Sequence, residues 1–197
     1  MIGLQIAPLA GAGAQPWRNG GGATRELLTW PGASGEDWAL RVSVAQIERD
    51  GPFSAFHGID RWFAVVNGAG VRLQFGSQTH RVTQGSEPLA FDGAAAPGCE
   101  LLDGMTLDIN LMVRRNAGHA NMQRARPEAV WRAGDEWRAL YTNGPARLQI
   151  EGRFVADLAA AALVWHPYAG GAAWSFHPTE AATLGWWLSF QPRGRPT

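Results

Sequence analysis

Apolar residues in this chain recur mostly at every second position, in short runs closed by Gly, Pro, Asn or Asp. Successive side chains of a strand point to opposite faces, so this alternation marks half-buried β-structure. Few windows carry the period of a helix. The pattern predicts strands over 24–29, 38–47, 62–66, 70–75, 79–82, 88–91, 100–103 and 107–114. It predicts a second set over 137–142, 146–150, 154–156, 162–165, 173–177 and 183–190. An alanine-rich stretch at 156–161 offers one short helix. Asn67-Gly68 and Asn143-Gly144 read as hairpin turns, because both central residues of the tightest hairpin turn need positive φ.

Those two turns expose an internal repeat. Trp62-Phe-Ala-Val-Val-Asn-Gly-Ala-Gly-Val-Arg-Leu-Gln74 runs parallel to Trp137-Arg-Ala-Leu-Tyr-Thr-Asn-Gly-Pro-Ala-Arg-Leu-Gln149, with Trp, Ala, Asn-Gly and Arg-Leu-Gln coinciding when one residue is skipped on each side of the turn. A duplicated small β-barrel of jelly-roll type fits the length. The expected division is a first barrel over 1–118, a connector over 119–134 that lacks a strand pattern, and a second barrel over 135–197, the N-terminal strand being open to sharing between them.

Composition narrows the classes. Of 197 residues 46% are hydrophobic and 17% charged, enough apolar matter for a core and too much for a disordered chain. Seventeen basic residues balance seventeen acidic ones, so no bulk charge draws the chain to nucleic acid or an anionic membrane, and neither is an expected partner. Every basic residue is arginine, which excludes Schiff-base chemistry and a Walker-type lysine. No run approaches the ~20 apolar residues of a membrane-spanning helix. The apolar start lacks a basic leader and reads as mature, cytoplasmic protein.

Candidate chemistry by motif is sparse. The single Cys99 excludes an intramolecular disulfide, and it sits in an expected loop after Pro-Gly. His57, His80, His119, His166 and His177 form no metal-ligand spacing, so neither metal nor other cofactor is expected. No Gly-x-Ser-x-Gly elbow occurs, and Ser34 and Ser77 read as loop tips. Gly20-Gly21-Gly22 offers a possible anion nest, without a P-loop or dinucleotide fingerprint around it.

The strands themselves say more. Over 38–45, Trp38, Leu40, Val42 and Val44 share one face while Arg41 and Ser43 take the other. Over 107–114, Leu107, Ile109, Leu111 and Val113 oppose Asp108, Asn110, Met112 and Arg114. In an ordinary sandwich the polar face is solvated; in a small barrel it lines a cavity. A buried guanidinium must be paired or bind an anion, and Arg with Asn suits a carboxylate. Residues 50–61 form an ordered, folded-over connection in which Asp60 and Arg61 either pair or send Arg61 inward.

Four segments, Pro16-Trp-Arg-Asn-Gly-Gly-Gly-Ala-Thr-Arg-Glu26, Trp38-Ala-Leu-Arg-Val-Ser-Val-Ala45, the run from Asp50 to Arg61, and Asp108-Ile-Asn-Leu-Met-Val-Arg-Arg115, resemble the HutD/Ves family. The resemblance implies a bicupin, two cupin barrels in one chain, and an association with bacterial histidine utilisation. It implies a regulatory role through a small anionic intermediate such as N-formyl-L-glutamate, and no established reaction. Ala23 and His57 depart from the residues usual in the family, the second at what would be a pocket rim. Mapping the motifs implies a pocket in the first barrel built from Asn19, Thr24, Arg25, Arg41, Ser43, Arg61, Asp108, Asn110 and Met112, with Trp17 as a wall. Arg41 or Arg61 would grip a carboxylate, Asn19 and Asn110 would read an amide or formyl group, and Ser43 would donate its hydroxyl. Asp108 alternatively pairs with an arginine.

Three readings follow: a metal-free binder of a small anionic metabolite; a cofactor-free isomerase, lyase or hydrolase with Glu26 or His57 as acid–base; and an interaction module presenting Trp174, Trp186 and Trp187. A homodimer through a β edge is compatible with each.

Overall fold

The computed structural model describes residues 3–30 and 38–194; Ser34 lies outside them. Its strands are β1 (Gln5–Pro8), β2 (Ala14–Pro16), β3 (Gly22–Trp30), β4 (Leu40–Ile47), β5 (Gly51–Pro52), β6 (Ile59–Asn67), β7 (Val71–Phe75), β8 (Gln78–Val82), β9 (Leu89–Asp92), β10 (Gly98–Leu101) and β11 (Thr106–Arg114). They continue with β12 (Gly118–Ala125), β13 (Val130–Trp131), β14 (Trp137–Thr142), β15 (Ala146–Ile150), β16 (Arg153–Leu158), β17 (Ala162–His166), β18 (Trp174–Pro178) and β19 (Gly185–Pro192). Two compact units result. The first is Ala12–Ala117; the second joins Met1–Gly11 to Gly118–Thr197.

The first unit holds a six-stranded sheet, β2-β3-β4-β11-β6-β9, and a four-stranded sheet, β5-β10-β7-β8. The second holds β1-β17-β14-β19-β12 and β13-β18-β15-β16. Adding eight to each label of β4-β11-β6-β9 and of β5-β10-β7-β8 reproduces β12-β19-β14-β17 and β13-β18-β15-β16. The duplication seen around the two Asn-Gly turns therefore extends to all eight strands of each repeat. The fold is all-β, a pair of jelly rolls. Among the described residues their sheets keep free edges and do not close as hydrogen-bonded barrels.

Each jelly roll has its own core between its sheets. Ile47, Phe53, Phe63, Val65, Val71, Leu73 and Val82 fill the first, and Leu140, Leu148, Val164, Trp174, Phe176 and Trp187 the second. The first turn is held locally: Asn67 Oδ1 accepts from the Gly68 amide at 2.8 Å. Gly68 has φ of +92°, and a Cβ there would lie 2.6 Å from the Met105 carbonyl oxygen, so only glycine fits.

The boundaries differ from the sequence expectation in two places. Residues 119–134 are not a connector: β12 pairs with β19 over its whole length, and β13 pairs with β18. The N-terminal strand β1 pairs with β17 alone, Gln5 opposite Trp165, and so belongs to the second unit. The alanine-rich stretch at 156–161 is the end of β16 and a bend, not a helix, and Cys99 lies within β10.

Candidate functional site

Strand register decides which side chains meet inside the first jelly roll. In β11, Asp108, Asn110 and Met112 stand opposite Ala45, Ser43 and Arg41 of β4, and opposite Val65, Phe63 and Arg61 of β6. The alternate residues Val42, Val44, Ile109 and Leu111 turn the other way and are fully buried. The polar set therefore converges on one inward face, where it lines a cavity of about 420 Å³. Trp17, Arg18 and Asn19, Thr24 of β3, and Pro52, Phe53, Ser54 and Phe56 complete the wall.

Of the nine residues assigned from sequence, Asn19, Thr24, Arg41, Ser43, Arg61, Asp108, Asn110 and Met112 line this cavity. Arg25 does not. It follows Thr24 in β3, so alternation turns it to the opposite face, where its Nη1 donates to the Ala12 carbonyl at 2.6 Å. Trp17 is a wall residue, fixed by its indole N–H donating to Thr24 Oγ1 at 2.8 Å. Gly20–Gly22 is not an anion nest: the Gly20 amide bonds to the Trp17 carbonyl and the Gly21 amide to Asn19 Oδ1.

Three buried polar groups form a chain across the cavity floor. Arg61 donates from Nε and Nη2 to Asn110 Oδ1, at 2.8 and 2.5 Å. Asn110 Nδ2 donates in turn to Asp108 Oδ1 at 2.5 Å. Arg61 and Asp108 are thus not an ion pair; the Asn110 amide stands between them. The Arg61 guanidinium lies over the rings of Phe53 and Phe91, 4.5 and 5.4 Å from their centroids. Its Nη1 has no hydrogen-bond partner among the described residues. Burial pulls its pKa down to about 10, against the raising influence of Asp108 and with Arg41 adding to the fall. Burial likewise pushes the Asp108 carboxyl up to about 7, opposed by Arg61 and the Asn110 hydrogen bond. Asp108 Oδ2 is buried without a partner.

The other charged groups are engaged elsewhere. Arg41 sits at the cavity side with its Nε on Glu26 Oε2 at 2.7 Å. Glu26 is held outside the cavity, and His57 is exposed and does not line it, so neither acid–base candidate of the enzyme reading reaches the floor. Asp60 pairs with Arg115 at 2.6 Å, leaving Arg61 to turn inward. Cys99 is buried, its thiol pushed up to about 12 by desolvation. Among the described residues no three His, Cys, Asp or Glu side chains are grouped to hold a metal ion, and no helix is long and apolar enough to cross a membrane.

Sequence reasoning missed Gln15, Arg18, Phe53, Ser54 and Phe56 as wall residues. The aromatics of the folded-over segment 50–61 were the available signal. Trp174, Trp186 and Trp187, considered as an exposed patch, are buried.

Two repeats of one eight-strand jelly roll, a polar cavity in the first, define a bicupin. The chain belongs to the HutD family, whose model matches residues 10–180. An uncharacterized 21.2 kDa protein in the hutC 3′ region of Pseudomonas putida is 34% identical over 62% of this chain and 65% of its own length. Protein Ves of Cronobacter sakazakii is 34% identical over 54% of this chain and 59% of its own length. These matches span less than two thirds of either relative. The structure of HutD from Pseudomonas fluorescens SBW25, in a formate condition, superposes with TM-score 0.83 at 23% identity, covering 98% of this chain and all of that one. A Bacillus subtilis oxalate decarboxylase variant shares the fold alone, with TM-score 0.61 at 10% identity over 96% of this chain and 78% of that one.

Proposed function

We propose that the first jelly roll binds a small anionic metabolite of the N-formyl-L-glutamate kind, and that this binding modulates bacterial histidine utilisation. The observation that carries the reading is Arg61. A buried guanidinium lying over two phenyl rings, with Nη1 free at a cavity floor, is a costly arrangement unless an anion completes it. A carboxylate takes charge-assisted hydrogen bonds from such a group, and the Ser43 and Thr24 hydroxyls and the second Asn110 N–H supply further donors for a formyl or carboxyl oxygen. Arg18 and Arg41 add positive potential on the approach. The link to histidine utilisation rests on the family and on the Pseudomonas putida relative in the hutC 3′ region.

The test is a thermal-shift series with N-formyl-L-glutamate, urocanate, histidine, glutamate and formate. A ligand at 100 times its Kd adds about 2.7 kcal/mol of stability. A raised Tm with one of them, lost in Arg61→Met, supports the reading; no shift with any carboxylate contradicts it.

A further inference from the structure

We infer that the cavity takes its anion together with a proton, and that Asp108 is where the proton goes. The inference rests on the anion-binding reading above and deepens it. Three features of the floor lead there. Asp108 is sealed, 1% exposed, with Oδ1 held by Asn110 Nδ2 and Oδ2 without any hydrogen-bond partner. A carboxylate left in that state holds a full charge with one oxygen desolvated and unpaired, whereas a carboxylic acid keeps the one bond to Asn110 and no charge. Second, Asn110 separates Asp108 from Arg61: its Oδ1 takes both guanidinium donors and its amide nitrogen faces the acid. The carboxyl therefore feels Arg61 as a nearby cation but does not neutralise it by contact. Third, Arg61 keeps Nη1 open to the cavity, so an incoming anion binds the same cation from the other side.

Two negative charges then compete for one buried guanidinium. Once the anion sits on Arg61, the attraction that lets Asp108 ionise is cancelled and like-charge repulsion replaces it. The carboxyl binds a proton, and the floor ends with one cation, one anion and one neutral acid. The charges around Asp108 are few. Arg61 reaches it from β6; Arg41 on β4 acts on Arg61; Cys99 on β10 remains a neutral thiol, with Asp50 on the Cys99 side. Burial pushes the Asp108 carboxyl up to about 7, so the coupling operates across neutral pH. Asp108 is a positioning residue: it sets the charge the floor accepts without touching the ligand.

The experiment is titration calorimetry of the intact protein with formate and with N-formyl-L-glutamate, whose carboxylates stay ionised from pH 6 to pH 9. Each titration is run in two buffers of different ionisation enthalpy, which counts protons directly on the wild-type protein. The expected result is proton uptake rising toward one per ligand at pH 8, with Kd weakening about tenfold per unit above about pH 7. In Asp108→Asn the neutral amide replaces the protonated acid, uptake falls to zero, and affinity at pH 8 matches that of the wild type at pH 6. Anion binding with no proton uptake by the wild type, or an unchanged pH profile in Asp108→Asn, overturns the inference and leaves the anion site standing. Absence of binding at pH 6, where the carboxyl is neutral, overturns the anion site itself.

Discussion

The two repeats place an arginine over two aromatic rings at nearly the same point of the same strand and use it in opposite ways. The register pairs Asn110 with Phe63 in the first repeat and Ser189 with Arg138 in the second, so Ser189 stands where Asn110 does and Trp187 where Asp108 does. Arg138 takes the place of Phe63. Its guanidinium lies 5.1 Å from the Trp174 ring centroid and 5.6 Å from that of Trp131, and it spends Nη1 and Nη2 on the carbonyls of Ala172 and Ala169. Burial lowers its pKa, as it does that of Arg61. The space that is a cavity in the first repeat is filled in the second by Trp187, stacked on Trp131 at 4.8 Å with planes 4° apart, and by Trp174 edge-on to both. One repeat has kept an arginine with open donors above a polar floor; the other has closed its arginine onto backbone and its floor with indole. The same frame thus encloses a polar cavity in one repeat and an indole-filled core in the other, with Asp108 and Trp187 at corresponding positions of the last strand.

Substitutions break this contrast with graded effects. The largest is Trp187→Ala, which removes a fully buried indole from the second core. It costs about 3–5 kcal/mol in denaturant unfolding and leaves anion affinity unchanged wherever the protein stays folded. Arg138→Met comes next, at about 2–4 kcal/mol, since two part-buried carbonyls lose the donors that a fully buried guanidinium supplies; anion binding again stays as it was. Arg61→Met reverses the pattern. Anion affinity falls at least about a hundredfold, roughly 3 kcal/mol, while stability falls by only about 1–3 kcal/mol, since Asn110 Oδ1 loses both donors but the methionine keeps the contact with Phe53 and Phe91.

Asp108→Asn has a smaller and pH-dependent effect on stability. The folded-state pKa of this carboxyl lies above its unfolded value, so the proton stabilises the fold fully below about pH 4 and that contribution is lost as pH rises through about 7. The amide variant escapes the loss and is more stable than the wild type at pH 8, by on the order of 2 kcal/mol, with no gain at pH 4. Urea titrations at the two pH values check it. The least effect belongs to Arg25→Ala, on the face of β3 turned away from the cavity: under about 1 kcal/mol in stability and none in anion binding.

Much of this was readable in the chain because the decisive information is local. Alternation along 38–45 and 107–114 separated Arg41, Ser43, Asp108, Asn110 and Met112 from the apolar face before any pairing was known. The same rule applied to β3 separates Thr24 from Arg25, and naming both put one of them on the wrong face. What escaped depended on distant pairing. β12 buries only Gly118, Met122 and Ala125, a pattern too thin to mark a strand, and it exists because β19 lies alongside it. β1 is four residues long, and its partner β17 is more than 150 residues away. The Asn110 bridge was invisible for a similar reason: sequence shows an Asp and an Arg that can pair, whereas the register of β6 against β11 decides that an amide lies between them.

The proposed anion site belongs to the first repeat and hangs on Arg61. Titration calorimetry at pH 6 of the wild type, Arg61→Met and Arg138→Met against N-formyl-L-glutamate tests it most directly. One site per chain is expected, lost in Arg61→Met and intact in Arg138→Met. Two sites per chain, or a site that survives Arg61→Met and disappears in Arg138→Met, would contradict it.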